Sequence, residues 1–253
     1  MSETISSNPY AAPTSELQEP SRDDQVPTIE EALSRGYDFR IGELLGESWR
    51  LVKGTKGIII GGALVFYGVM LVASLLLGGA FGVLGLFSAG SAGAVVGELV
   101  FGILATALAY PFMAGVSMVG IRRAAGQPLN FNEIFSHFGR AAPVFVTALI
   151  MTVLFYVGTL LLIIPGLYLG VAYALAIPLV VERGLSPWQA LEASRKAITQ
   201  HWFKVFGLFL LLALIFMVSA IPLGIGLVWS MPLFVVAMGV LYRTIFGVLP
   251  PPQ

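Results

Sequence analysis

Cysteine is missing from all 253 residues. That excludes disulfides, thiolate metal sites and a cysteine nucleophile, and it leaves the redox compartment unread. Histidine occurs twice, and neither His137 nor His201 has a partner at a zinc-motif spacing such as HExxH. No serine lies in a GxSxG elbow, so a serine hydrolase is not supported. With no acid–base or metal constellation in the chain, the reading is non-enzymatic and cofactor-free. Charge is scarce as well. Asp, Glu, Lys and Arg make up 11% of the chain, against roughly 25% in soluble domains. The 14 basic residues balance the 14 acidic ones, which argues against a nucleic-acid partner.

What is abundant is apolar. The residues AVILMFWYC account for 57% of the chain, and the mean hydropathy is +0.87. A water-soluble fold of this size could not cover its surface with so few charges, so the chain reads as an integral membrane protein. Residues 1–27 are the exception. They carry four prolines among Ser, Thr, Asp and Glu, cannot bury enough apolar surface to order themselves, and read as a disordered cytoplasmic tail.

Uncharged runs locate the membrane within 28–250. They cover 57–97, 99–121, 141–181 and 205–242. A spanning helix needs about 20 residues, so the longest runs are two spans joined by an uncharged turn. Breaks fall at Ser88–Gly93, Ile164-Pro165-Gly166 and Ile221-Pro222-Leu223-Gly224. The expected fold is all-α, a polytopic bundle with six spans at about 58–84, 95–121, 142–163, 167–182, 205–221 and 225–246. With six spans every Lys and Arg falls on one side of the membrane, and the three opposite turns carry none. That bias predicts cytoplasmic termini in an inner (plasma) membrane. Trp49, Trp188 and Trp202 belong at the cytoplasmic interface and Trp229 at the other, as an aromatic belt.

An amphipathic stretch precedes each hairpin. Ile41, Leu44, Leu45, Ser48, Trp49 and Val52 share one helical face. Asn130 begins a second stretch, with Phe131, Ile134, Phe135 and Phe138 as its stripe. Ser186-Pro187 opens the third, with Trp188, Leu191, Ile198 and Trp202 as its stripe. Leu45–Arg50 aligns with Leu191–Lys196, and Ala107-Leu-Ala-Tyr-Pro111 with Ala174-Leu-Ala-Ile-Pro178. The chain therefore reads as three copies of one unit, an interfacial helix followed by a hairpin. These helices are expected to lie in the headgroup plane, with Trp49, Phe135, Trp188, Leu191 and Trp202 toward the lipid.

Leu162-Ile-Ile-Pro-Gly-Leu-Tyr168, the stretch Ile177-Pro-Leu-Val-Val-Glu-Arg-Gly-Leu-Ser-Pro-Trp-Gln-Ala-Leu-Glu-Ala-Ser194 and His201-Trp-Phe-Lys204 resemble a group of bacterial inner-membrane proteins. The group comprises the YciC-like proteins and the membrane domain fused to some glycerophosphodiester phosphodiesterases. The resemblance implies location and architecture. No phosphodiesterase domain lies within these 253 residues, so that activity is not implied.

Two functions stay open. The first is a protein that organises membrane lipid or a membrane-protein partner through its interfacial helices. The second is a transporter or channel for an apolar or lipid-like solute. For the second, Pro111, Pro178 and Pro232 would each kink a returning span and frame a cavity, lined by hydroxyls of Thr106, Tyr110, Tyr173 and Ser230. Apart from Glu98, and Arg243 close to the end of the last span, no charge lies between the span ends, which argues against a proton relay. Metal sites are not expected, and the oligomeric state is not readable.

Overall fold

A computed structural model describes residues 26–83 and 92–250, without the side chains of 77, 81, 92, 93, 96, 98–101 and 103–108. Most of the expected tail, the turn at 88–91 and the Glu98 and Thr106 side chains thus lie outside the described residues. Among those residues the fold is all-helical. Five helical stretches are long and apolar enough to cross a membrane: Lys56–Ala80, Phe131–Leu161, Ile163–Glu182, Trp202–Ala220 and Leu227–Phe246.

The first helix, α1 (Ile29–Arg35), was not anticipated. Its signal is the spacing Thr28-x-x-Glu31. The Thr28 hydroxyl accepts from the Glu31 N–H at 3.2 Å, and the Glu31 carboxylate accepts from the Thr28 N–H at 2.8 Å, a reciprocal cap that satisfies two donors. Helix α2 (Ile41–Leu51) crosses the ends of three later helices. Its Ile41 packs on Gly207, its Glu47 pairs with Arg243 at 2.9 Å, and the Leu51 carbonyl accepts from Arg123 Nε at 2.8 Å. The long helices α3 (Lys56–Val83) and α4 (Ala92–Ala124) follow, the second with Pro111 inside it.

Phe131–Arg140 is a 3-10 helix. Asn130 does cap it, by accepting from the Asn132 N–H at 3.0 Å. Three residues per turn put 131, 134 and 137 on one face, and the segment wedges between α3 and α4. Ile134 is fully buried against Gly62, and a Cβ on Gly115 would stand 2.1 Å from the Ile134 carbonyl oxygen. Phe135 packs near Phe112, with ring centroids 6.2 Å apart. Glu133 is buried with it and pairs with Arg122 at 3.1 Å.

The second apolar block is α5 (Ala141–Leu161), α6 (Ile163–Ala172) and α7 (Ala176–Glu182). The expected span 167–182 is broken at Tyr173–Leu175. Pro178 falls in the first turn of α7, where a missing N–H breaks no helical bond, so it starts a helix instead of kinking one. Helix α8 (Pro187–Gln200) holds the break in place. Its buried Ser194 hydroxyl donates to the Ala172 carbonyl at 2.7 Å and accepts from the Leu175 N–H at 3.2 Å. Ser194→Ala leaves that buried N–H unpaired, at a cost of about 1–3 kcal/mol. The expected result is a lower unfolding midpoint in detergent; an unchanged midpoint would mean that the break needs no such clamp.

The chain ends in the antiparallel pair α9 (Trp202–Ala220) and α10 (Leu227–Phe246). The core forms where α10 packs on α4. A Cβ on Gly120 would stand 2.2 Å from the Val235 carbonyl oxygen, and one on Gly239 would stand 2.2 Å from that of Gly120. Val236, Ala237, Val240, Leu241 and Ile245 are buried around this crossing. By contrast, a Cβ on Gly57, Gly78 or Gly82 would meet nothing within 4 Å.

Candidate functional site

Two features stand out, a basic end and an apolar cleft. The basic end gathers the helix termini. A helix leaves its last carbonyls without partners and carries partial negative charge there, which arginine satisfies well. Arg123 at the end of α4 donates to the Leu51 and Lys53 carbonyls. Arg243 at the end of α10 donates to the Ala124 carbonyl and pairs with Glu47. Arg183, just after α7, donates to the Phe246 carbonyl and, at 3.0 Å, to that of Pro27. Arg140 reaches the Val180 carbonyl at 3.1 Å, and Arg35 that of Ile245 at 3.3 Å. These side chains tie the ends of the bundle together.

The tightest knot is buried. Arg183 Nε lies 2.6 Å from Glu182 Oε2, with both side chains less than a tenth exposed. Tyr242 donates to the same carboxylate at 2.7 Å, and the Leu249 N–H at 2.6 Å. At the rim the pairs are open to water. Lys204 donates to Asp38, and this hydrogen bond is the main reason the Asp38 carboxyl stays below its ordinary range. The two hydrogen bonds from Arg195, at 2.8 and 3.0 Å, chiefly do the same for Glu192. Both carboxylates are thus ionised at neutral pH.

The cleft opens among α3, α4, α5, α6, α7, α9 and α10. It comprises one cavity of about 300 Å³ and one of about 490 Å³, which share Met113, Val116, Phe209, Phe234 and Val235. Tyr173 and Pro178 line the smaller cavity. The other expected cavity residues do not join them. Pro111, Ser230 and Pro232 are buried, and Tyr110 is half-buried against the core, but none lines either cavity. The three prolines therefore do not frame one chamber. Ser230 donates back to the Gly226 carbonyl at 3.4 Å, and Ser117, inside the smaller cavity, to that of Met113 at 2.9 Å. The Ser117 hydroxyl is spent within its own helix, so apart from Tyr67 and Tyr173 the cleft is lined by apolar residues. Among the described residues no cluster of His, Cys, Asp or Glu could hold a metal ion.

The expected interfacial residues divide into two groups. Trp49 and Trp188 are more than half exposed. Leu191 is 2% exposed and packs with Tyr173 and Ala176, with Ile198 equally buried in the core. Trp202 is half-buried and stacks on Phe206 at 4.9 Å. Phe135 is half-buried between α3 and α4. The apolar stripe of α8 thus faces protein, and only its first turn offers an aromatic ring outward. Trp229 is partly exposed. Lys56 Nζ lies 4.9 Å over its ring, so α3 leans across α10 at its start.

No family model, curated protein or solved structure matches the chain.

Proposed function

We propose that the protein is a non-enzymatic, multi-pass inner-membrane protein that organises lipid, holding acyl chains in its lateral cleft. The observation that carries this reading is the continuous apolar wall shared by the two cavities, with its serine hydroxyl already bonded within α4. A polar solute would leave its own donors and acceptors unpaired there, at a cost of several kcal/mol. An acyl chain has none to lose. The basic end lies on the cytoplasmic side in this reading, which the one-sided Lys and Arg distribution supports. Exposed Trp49 and Trp188 then sit at headgroup level. The resemblance of 160–207 to the YciC-like group is in keeping with that location.

The test is to fill the cleft. Met113 lines both cavities and is about half exposed, so Met113→Trp should close the passage without disturbing the core. We expect native mass spectrometry of the variant to show loss of the lipid that copurifies with the parent protein. Equal lipid retention in both would overturn the reading. A transporter instead requires the apolar solute to leave by a second opening. Accumulation of a lipid-like probe against its gradient in proteoliposomes would favour that alternative.

A further inference from the structure

The α5–α6 turn is not where a through-membrane hairpin would put it. Helix α9 starts at the basic end: Lys204 pairs with Asp38, and Gly207 packs on Ile41 of α2. It runs antiparallel to α10, with Phe209 against Phe234 at 6.1 Å, so Trp202 is level with the last turns of α10. Helix α6 lies at that same level. Trp202 Nε1 donates to the Tyr168 carbonyl at 3.3 Å, and the Tyr168 and Thr199 hydroxyls are 2.6 Å apart. Ile164 and Leu167 line one cavity of about 600 Å³ together with Phe203 and Lys204. Ile164 is four residues from Tyr168, about 6 Å along the helix. A turn on the opposite face would lie about 30 Å away.

The other end of the block returns to the basic end as well, since Glu182 bonds Tyr242 and Leu249. Its innermost part, Gly170–Leu175, reaches only the level of Phe209 and Met238. Helix α8 confirms the depth. Glu192, Arg195 and Lys196 are a third or more exposed, which fixes α8 near water. Yet α8 touches α6 at both Ala172 and Tyr168. The irregular backbone at 173–175 obeys the same constraint. Non-helical backbone is tolerated at membrane depth only where protein satisfies it, and Ser194 does so.

From these contacts we propose that α5–α7 is a re-entrant hairpin confined to the cytoplasmic leaflet, and that the acyl chains of that leaflet are the partner of its exposed face. Only α3, α4, α9 and α10 then cross the bilayer. The occupant follows from the tip itself: Leu160–Ile164 are five consecutive aliphatic residues, 68–88% exposed, beside the cationic Lys204 at the headgroup level. The inference rests on the membrane reading above and deepens it, since a hairpin in one leaflet displaces the lipids of that leaflet alone. The Lys and Arg distribution is identical for both paths, because a re-entrant loop and a spanning hairpin return to the same side.

The cysteine-free chain permits a direct test. Ile164→Cys and, as the positive control, Leu223→Cys in the α9–α10 turn are both at exposed positions and should fold normally. In intact cells a membrane-impermeant maleimide should label the Leu223→Cys variant, while labelling of the Ile164→Cys variant falls to the level of the cysteine-free parent. A permeant bimane placed on Ile164→Cys should then be quenched by iodide in inside-out vesicles and not in right-side-out ones. Labelling of that variant in intact cells overturns the hairpin path. So does quenching that is greater from the outer side, or weak and equal from both. Failure of the Leu223→Cys control to label from outside would instead overturn the membrane orientation on which the inference rests.

Discussion

Arg183→Ala should be the most damaging single substitution at the basic end. It removes one charge of a pair whose side chains are 8% and 3% exposed, leaving the Glu182 carboxylate buried without its cation. Breaking such a pair costs about 3–5 kcal/mol. The loss spreads further than the pair, because Arg183 also bonds the Phe246 and Pro27 carbonyls, while Glu182 holds Tyr242 and the Leu249 N–H. The segments before α1 and after α10 should therefore loosen together. The expected measurement is a large drop in the detergent unfolding midpoint, with faster hydrogen exchange at Val26–Thr28 and Gly247–Leu249. Glu182→Gln combined with Arg183→Met removes both charges and should cost less than Arg183→Ala alone. A single variant as stable as the parent would mean that this knot contributes nothing.

Gly120→Leu should be comparably severe, for a steric reason. The first added carbon already falls 2.2 Å from the Val235 carbonyl oxygen, a backbone atom that cannot rotate away. The helices α4 and α10 must separate, and the buried Val236, Val240 and Leu241 lose contacts. Overpacking of this kind costs about 1–3 kcal/mol for a small excess, and leucine exceeds it. Gly78→Leu supplies the contrast, since a Cβ there meets nothing within 4 Å, and should leave stability unchanged. Equal stability of the two variants in a thermal or SDS unfolding titration would refute the close crossing.

These two sites show where the sequence is readable. Uncharged runs marked out α3, α5, α9 and α10 to within a few residues, because apolar length is a local property of the chain. Ser186-Pro187 announced the start of α8: proline fixes the helical φ at the first position, and the Gln189 side chain accepts from the Ser186 N–H at 3.2 Å. The Thr28-x-x-Glu31 box was equally local and could have revealed α1. Other features carry no such mark. Nothing near Gly120 says that Gly239 will meet it, while Gly78 looks the same in sequence and packs on nothing. An amphipathic stripe says that a face is buried, not whether lipid or protein buries it, and Leu191 and Ile198 turn out to face protein.

By itself the sequence determined that the described residues are all-helical and rich in membrane-length segments. Those properties follow from composition and from the distance between charges along the chain. Only the tertiary structure decided that the arginines cap neighbouring helix ends, that the prolines do not share a cavity, and that the α5–α6 turn lies beside Lys204. Each of these depends on which distant residues meet. A pattern of hydropathy records how far a segment could reach, and packing decides the direction in which it runs.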